Sequence, residues 1–242
     1  MGIIYGKNPV LEAISSGTTI NKIYAQTSNK EIDSVIKEAL KRKIIVVNTD
    51  KQKLDKMIDG KNSQGIIASI TDFKYSEVSE IIEYAKSKNE LPFIVILDKI
   101  EDPHNLGAII RSCECMGVHG VIIQKRNACQ ITDTVEKVAA GACSYVKVAR
   151  VTNITESIKE LKKNGLWIYG LDMNGESEVY NTKLEGAIGI VVGNEGSGIS
   201  RLVKENCDAL MKIPMTGKIN SLNASVSAAI TIYEVVRQKN IK

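Results

Sequence analysis

The sequence predicts an α/β protein in two parts, a small N-terminal α/β unit and a larger open α/β sheet with helices on both faces. Three observations predict it. Apolar runs of strand length alternate with helical i, i+3, i+4 patterns along the whole 242-residue chain. Residues 93–97, Phe-Ile-Val-Ile-Leu, are continuously apolar, as a strand buried on both faces of a parallel sheet requires. The alternation is broken by a connecting stretch at 72–90, ended by Leu91 and Pro92, after which a new apolar strand begins.

In the first part, residues 7–14 read as a short helix ended by Gly17, and 20–25 as a strand. Residues 31–41 carry Ile32, Val35, Ile36 and Ala39 on one helical face. Residues 44–47 read as a short buried-type strand, 51–58 as a helix and 65–70 as a strand. Eleven Lys and Arg against eight Asp and Glu over 1–72 give this part +3 of the chain's formal +4. That excess fits either an ordinary solvated surface or a face that meets RNA.

In the connecting stretch, 77–87 is amphipathic, with Val78, Ile81, Ile82 and Ala85 inward. Beyond it, 93–97, 118–123, 166–171 and 188–192 read as strands. Helical patterns cover 106–116, 134–139, 154–163 and 199–207, and a last helix covers about 223–238.

Composition narrows the function classes. Hydrophobic residues at 43% and charged residues at 25% are ordinary for a soluble globular chain. Aromatics at 5% supply a base-stacking platform poorly. Cys113, Cys115, Cys129, Cys143 and Cys207 are odd in number and follow no framework, so reduced structural thiols are expected. With only His104 and His119 as histidines and no cluster of acids, no metal is expected. No apolar run has signal-peptide or membrane-spanning length, and Gly6 stands where a myristoylation signal needs Ser or Thr. A cytoplasmic location without a membrane partner is therefore the expectation.

Ligands of open α/β sheets gather at the carboxyl ends of strands, so chemistry is sought after each strand. The segment after Leu97 runs Asp98-Lys99-Ile100-Glu101-Asp102-Pro103-His104-Asn105-Leu106-Gly107. Asn105 suits the N-cap of the helix that follows, and Arg111 lies nearly two turns in. Arg111 is either a solvated surface residue or, flanked by Ile109, Ile110 and Cys113, a guanidinium held near a site by an anionic or carbonyl partner. After Val192 comes Gly193-Asn194-Glu195-Gly196-Ser197-Gly198, whose glycine spacing is neither that of a dinucleotide fingerprint nor that of a P-loop. This is either a structural turn or a loop that brings backbone close to a ligand. Glu195 within it suits a hydroxyl, an amine or an Arg better than a phosphate. The third segment follows Ile213-Pro214-Met215 and holds Ser221 and Asn223 at the mouth of the last helix, where capping explains either. No nucleophilic triad or metal motif is present, which favours group transfer from an already activated cofactor.

Together these segments resemble the three signature motifs of the SpoU (SPOUT-class) RNA ribose methyltransferases. The first spans Leu97-Asp98 through Asp102-Pro103-His104-Asn105-Leu106-Gly107 to Arg111, and the second Val192-Gly193-Asn194-Glu195-Gly196 with Gly198. The third spans Ile213-Pro214-Met215, Ser221-Leu222-Asn223 and Ser225. Residues 5–13 and Ser63-Gln64-Gly65-Ile66 resemble the N-terminal substrate-binding domain of many of these enzymes, with Ser63 where many relatives have His. Residues 134–142 and 233–238 are most similar to the bacterial branch that methylates a guanosine of 23S ribosomal RNA.

The resemblance implies a substrate-binding domain over 1–72, a linker over 73–91 and a methyltransferase domain over 92–242 folded as an α/β trefoil knot. It implies S-adenosylmethionine as cofactor, held near Gly193, Ile213, Leu222 and Met215 with the loop after Gly170 and Leu171 close by. Arg111 is the implied catalytic residue, with Asn105, Glu195, Ser221 and Asn223 ordering the site. The family proposal makes the Arg a base; with a guanidinium pKa of about 12.5 or more, positioning and charge stabilisation are physically easier. A homodimer is implied, with RNA as partner. Two other readings are the same chemistry on transfer RNA and a non-catalytic RNA-binding or ribosome-assembly factor that keeps the fold.

Overall fold

Phe93–Asp98 is a central strand of the larger sheet, and each of its residues is buried. The computed structural model describes residues 2–71 and 73–240. Met1, Asp72, Ile241 and Lys242, at the edges of the expected domains, lie outside the described residues. The chain divides into two compact units: the first 74 residues with Ile131–Asp133, and the remainder.

The smaller unit contains strands β1 (Gly2–Tyr5), β2 (Ile20–Ala25), β3 (Val46–Asn48) and β4 (Ile66–Ile70), with helices α1 (Lys7–Ser16), α2 (Asp33–Lys41) and α3 (Lys51–Met57). The sheet order is β1-β4-β2-β3, with only β2 and β3 parallel. α1 stops where Gly17 takes φ +77, a conformation that glycine adopts without steric cost. α3 starts at Asp50, whose carboxylate accepts from the Lys53 N–H at 2.8 Å. Val10, Ile14, Ile23, Val35 and Ile66 form the core. The segments around Gly6 and Gln64 meet here: the Lys7 N–H donates to Gln64 Oε1 at 2.9 Å and the Gly6 N–H to the Ile66 carbonyl at 3.1 Å. β1 has no counterpart in the sequence reading, because four edge residues beginning with glycine offer too little alternation. The strand expected at 44–47 lies at 46–48. The Ile44 N–H is used instead to close α2, donating to the Ala39 carbonyl at 3.0 Å.

The rest of the chain supplies α4 (Val78–Ser87), β5 (Phe93–Asp98), α5 (Pro103–Cys115), β6 (Gly120–Gln124) and, from its second residue onward, α6 (Asp133–Val138). It continues through β7 (Lys147–Val151), α7 (Ile154–Lys163), β8 (Trp167–Leu171), β9 (Ser177–Glu178), β10 (Ile188–Gly193), α8 (Arg201–Asn206), β11 (Ala209–Lys212) and α9 (Ala224–Asn240). The sheet order is β7-β6-β5-β10-β8-β11-β9, and all pairs are parallel. On one face, Ile94 and Ile96 of β5 pack with Ile81 of α4, Ile158 of α7 and Val203 of α8. Val95 and Leu97 point the other way and are buried as well, so both faces are covered.

α4 falls inside the stretch read as a linker, yet its apolar face is part of the larger unit's core. An amphipathic stripe of Val78, Ile81 and Ile82 must be buried somewhere, and the sheet is where it goes. β7, β9 and β11 were not expected as strands. They are two to five residues long with mixed polarity, and the edge positions of β7 and β9 demand no continuous apolar run.

Candidate active site

Because the larger sheet is parallel throughout, the carboxyl ends of β5, β10, β8 and β11 share one edge. Gly193 pairs with Asp98, and Val191 with Gly170, so the end of β10 lies between the residues that follow β5 and β8. Leu171 pairs with Met211, which brings the Ile213 segment to the same edge.

Three of the candidate residues converge there on one carboxylate oxygen. Glu195 Oε1 accepts from Asn105 Nδ2 at 2.7 Å, from Asn223 Nδ2 at 2.6 Å and from the Ala224 N–H at 3.4 Å. Asn223 Nδ2 also donates to Asn105 Oδ1 at 2.9 Å, closing a triangle. Hydrogen bonds to an ionised carboxylate are short and strong, so this triangle ties together three segments far apart in sequence.

Asn105 does not cap its helix, contrary to expectation. Asp102 is the N-cap, its side chain accepting from the His104 N–H at 3.1 Å, and Pro103 occupies the first turn. Pro is favoured at that position because it has no N–H to leave unsatisfied. Asn105 is thereby moved inside the helix, buried, with its amide free to reach Glu195. Asn223 does cap α9: its Oδ1 accepts from the Ser225 N–H at 2.9 Å and from Ser225 Oγ at 2.6 Å. Capping and clustering are thus two uses of the two ends of one amide.

Glu195 sits at the tip of a tight hairpin. Asn194 and Gly198 exchange backbone hydrogen bonds at 3.1 and 2.8 Å. Asn194 Oδ1 accepts from the Gly196 N–H at 2.9 Å, while Asn194 Nδ2 donates to the Lys99 carbonyl at 3.0 Å. Gly193 must be glycine, because a Cβ there would lie 2.2 Å from the Gly198 carbonyl carbon. Gly107 is required in the same way, a Cβ there standing 2.7 Å from Val138 Cβ where α6 packs on α5.

The other candidates are not in the triangle. Arg111 is exposed on α5 and makes no ion pair or hydrogen bond among the described residues. Ser221 is exposed and likewise without a partner among them. Gly170 is a packing glycine, with a Cβ there only 2.7 Å from Leu210 Cδ2 beneath α8. Leu171, Ile213 and Leu222 are half-buried, and Met215 is exposed. Asp172, just past β8, was not singled out from the sequence; it forms an ion pair with Lys204 and accepts from the Asn174 N–H at 3.0 Å. Burial by itself would raise the Asp172 carboxyl, but Lys204 and the Asn174 amide outweigh it and hold the group below its ordinary value. Burial pushes the thiols of Cys129 and Cys207 up to about 12 and that of Cys143 to about 11, which leaves no thiolate nucleophile among these three. Among the described residues no group of three or more His, Cys, Asp or Glu could hold a metal ion, and no helix is long and apolar enough to cross a membrane.

Residues 92–233 match the SpoU rRNA methylase family. The chain belongs to that family. Residues 3–76 match a second description, RNA 2'-O ribose methyltransferase substrate binding. A Bacillus subtilis (strain 168) protein named as a TrmH family tRNA/rRNA methyltransferase is 41% identical over 98% of this chain and 96% of its own length. A Staphylococcus aureus (strain MSSA476) protein of the same description is 43% identical over the same shares. Among solved structures, the SpoU methyltransferase AviRb of Streptomyces viridochromogenes, in complex with AdoMet, has a TM-score of 0.64 at 20% identity, covering 99% of this chain and 91% of its own. A TrmH/SpoU tRNA modifying enzyme of A. aeolicus has a TM-score of 0.57 at 28% identity, over 68% of this chain and 85% of its own. This SpoU-family chain is an RNA methyltransferase, and the Asn105–Glu195–Asn223 triangle is made by residues of the three motifs from which the family was expected.

Proposed function

We propose that this protein transfers a methyl group from S-adenosylmethionine to a ribose 2′-hydroxyl of RNA, with a guanosine of 23S ribosomal RNA as the target. The observation that carries the reading is the convergence of Asn105, Glu195 and Asn223 at the carboxyl edge of the sheet. The residues around it fit the cofactor. From 214 to 222 the described backbone makes no hydrogen bond within the chain, so its donors and acceptors are available to a purine and an amino-acid tail. Ile213, Leu222, Leu171 and Met215 offer partly open apolar surface beside it. These residues with Gly193 would hold the cofactor, which supplies an activated methyl group when bound.

What remains for the chain is to orient a weakly nucleophilic hydroxyl and ease the loss of its proton to water as the oxygen–carbon bond forms and the sulfur–methyl bond breaks, with S-adenosylhomocysteine as the leaving group. Arg111, exposed and without a partner among the described residues, holds the RNA phosphate beside that hydroxyl and stabilises developing charge. Asn105, Glu195 and Asn223 order the site through their mutual hydrogen bonds, and Ser221, exposed, adds a hydroxyl for a bound ligand. Residues 1–72 bind RNA, and 92–242, with α4 of the stretch 73–91 packed into the same core, carry the transferase, its chain threaded as a trefoil knot. Val226, Ile230 and Tyr233 form an exposed apolar stripe at helical spacing on α9, which supports a homodimer through that helix. The setting of such a reaction is the cytoplasm.

The relatives' names leave transfer RNA as the competing substrate. Mapping 2′-O-methyl positions in ribosomal and transfer RNA from cells with and without the gene decides between them. Loss of one guanosine methyl in 23S ribosomal RNA is the expected result. Loss confined to transfer RNA overturns the target, and no loss in either overturns the reaction.

A further inference from the structure

The hairpin that carries Glu195 has a second anchor, buried beneath it. Asp98 ends β5 and is fully buried. Its Oδ2 accepts from the Ser200 N–H at 2.7 Å and from Ser200 Oγ at 2.6 Å. Ser200 is the residue from which α8 starts, immediately beyond the hairpin. The other end of the hairpin is tied to the next residue of the same strand end, through Asn194 Nδ2 and the Lys99 carbonyl. Residues 98 and 99 therefore hold both ends of the loop whose tip is Glu195.

The local backbone is shaped for this. Lys99 takes φ +60, an uncommon conformation for a residue with a Cβ. It is held there from two sides, its N–H donating to Gln124 Oε1 at 3.1 Å and its carbonyl accepting from Asn194. A fold keeps such a conformation only where its surroundings over-determine it. Asp98 is also an expensive choice of anchor. Its Oδ1 is buried and without a hydrogen-bond partner among the described residues. A neutral Asn or Ser could cap Ser200 without burying a half-satisfied charge. What the carboxylate adds is stiffness, because charge-assisted hydrogen bonds are shorter and stronger than neutral ones. An ion pair, Lys204 to Asp172, fixes the same helix from the other side of β10.

We propose that Asp98 is a positioning residue for methyl transfer: through Ser200 it fixes the hairpin at the height at which Glu195 meets Asn105 and Asn223. The proposal rests on the reading of Glu195 given under Proposed function. Asp98 touches neither substrate nor cofactor in this scheme; it acts through Glu195.

The test uses the full chain, tritium-labelled S-adenosylmethionine and an unmodified 23S ribosomal RNA transcript. Asp98→Asn, Ser200→Ala, Glu195→Gln and the Asp98→Asn/Glu195→Gln pair are compared with the unaltered protein. If Asp98 works through Glu195, kcat falls on the order of 10²-fold in Asp98→Asn, as for an ångström-scale misplacement. The double variant is then no slower than the slower single one, because the two residues act as a unit. Multiplying effects would overturn the proposal, since a merely structural Asp98 has no reason to depend on Glu195. Amide hydrogen exchange supplies an arm that needs no turnover. The Gly198 and Ser200 amides should exchange at least about tenfold faster in Asp98→Asn, and the Gly198 amide in Ser200→Ala, with β6 unchanged. Unchanged exchange in the hairpin would overturn the proposal whatever the kinetics. Should the unaltered protein methylate no RNA at all, the function reading falls, and the exchange arm alone decides whether Asp98 sets the hairpin.

Discussion

Asn223 reaches Glu195 across 28 positions of sequence and donates to it at 2.6 Å, while the oxygen of the same amide caps α9. The two ends of this side chain can be separated experimentally. Asn223→Asp keeps an oxygen for the cap but replaces the donor by a second acceptor facing Glu195. We expect the helical circular dichroism to be retained and methyl transfer to fall at least about 10²-fold, since two carboxylates at that distance repel. Asn223→Ala should lose the cap as well, costing a further ~1 kcal/mol in denaturant unfolding.

Arg111→Ala should abolish methyl transfer while leaving S-adenosylmethionine affinity and oligomeric state intact. Its side chain is exposed and has no partner among the described residues, so the loss of stability should stay within about 0.5 kcal/mol. Arg111→Lys should keep part of the activity, because the charge remains and the planar fork does not. Turnover at the rate of the unaltered protein in the alanine variant would make Arg111 a plain surface residue.

Gly193→Ala forces a Cβ to within 2.2 Å of the Gly198 carbonyl carbon, and backbone has to move. The hairpin should shift, lowering stability by about 1–3 kcal/mol and removing the stabilisation that cofactor binding gives. In the unaltered protein that stabilisation is about 2.7 kcal/mol at a hundredfold excess over Kd, with one cofactor per chain. Calorimetry and thermal unfolding of both proteins, each freed of bound cofactor, measure it.

His119 makes stability depend on pH. It is buried at the start of β6, its Nδ1 accepting from the Phe93 N–H at 3.0 Å and its Nε2 within 3.0 Å of Glu90 Oε2. The ring is therefore neutral with its proton on Nε2. Burial lowers its pKa; Glu90 opposes this, and Lys239 and Lys88 add to it. A folded pKa below the unfolded value of about 6.5 means that the unfolded chain takes up the proton first. This contribution is fully present above about pH 6.5 and is lost as pH falls from there toward the folded pKa. The melting temperature should drop between about pH 7 and pH 5.5, and His119→Gln should flatten that part of the profile. An unchanged profile in the variant would assign the acid sensitivity elsewhere.

What the sequence by itself determined is the part that periodicity and local chemistry encode. Long apolar runs such as 93–97 and 188–192 had to be buried strands, and the stripe of Ile81 and Ile82 had to be a packed helix face. Strand-end segments rich in Gly, Asn and Pro pointed to one edge of the sheet, since parallel strands all end on the same side. The tertiary structure alone decided which side chains meet there. Asn105 looked like a helix cap because local sequence cannot weigh it against Asp102 and Pro103, and only the built helix turns its amide to Glu195. In the sequence Asp98 is only one member of a motif, yet it holds Ser200 from 102 positions away. Its one local sign was a charge ending a wholly apolar strand. Short strands such as β7 and β11 escape the sequence reading because their register is set by the neighbours they pair with, a pairing that a handful of mixed residues does not announce. Contacts between segments scores of residues apart depend on sheet order, and sheet order is a property of the folded chain rather than of any window of its sequence.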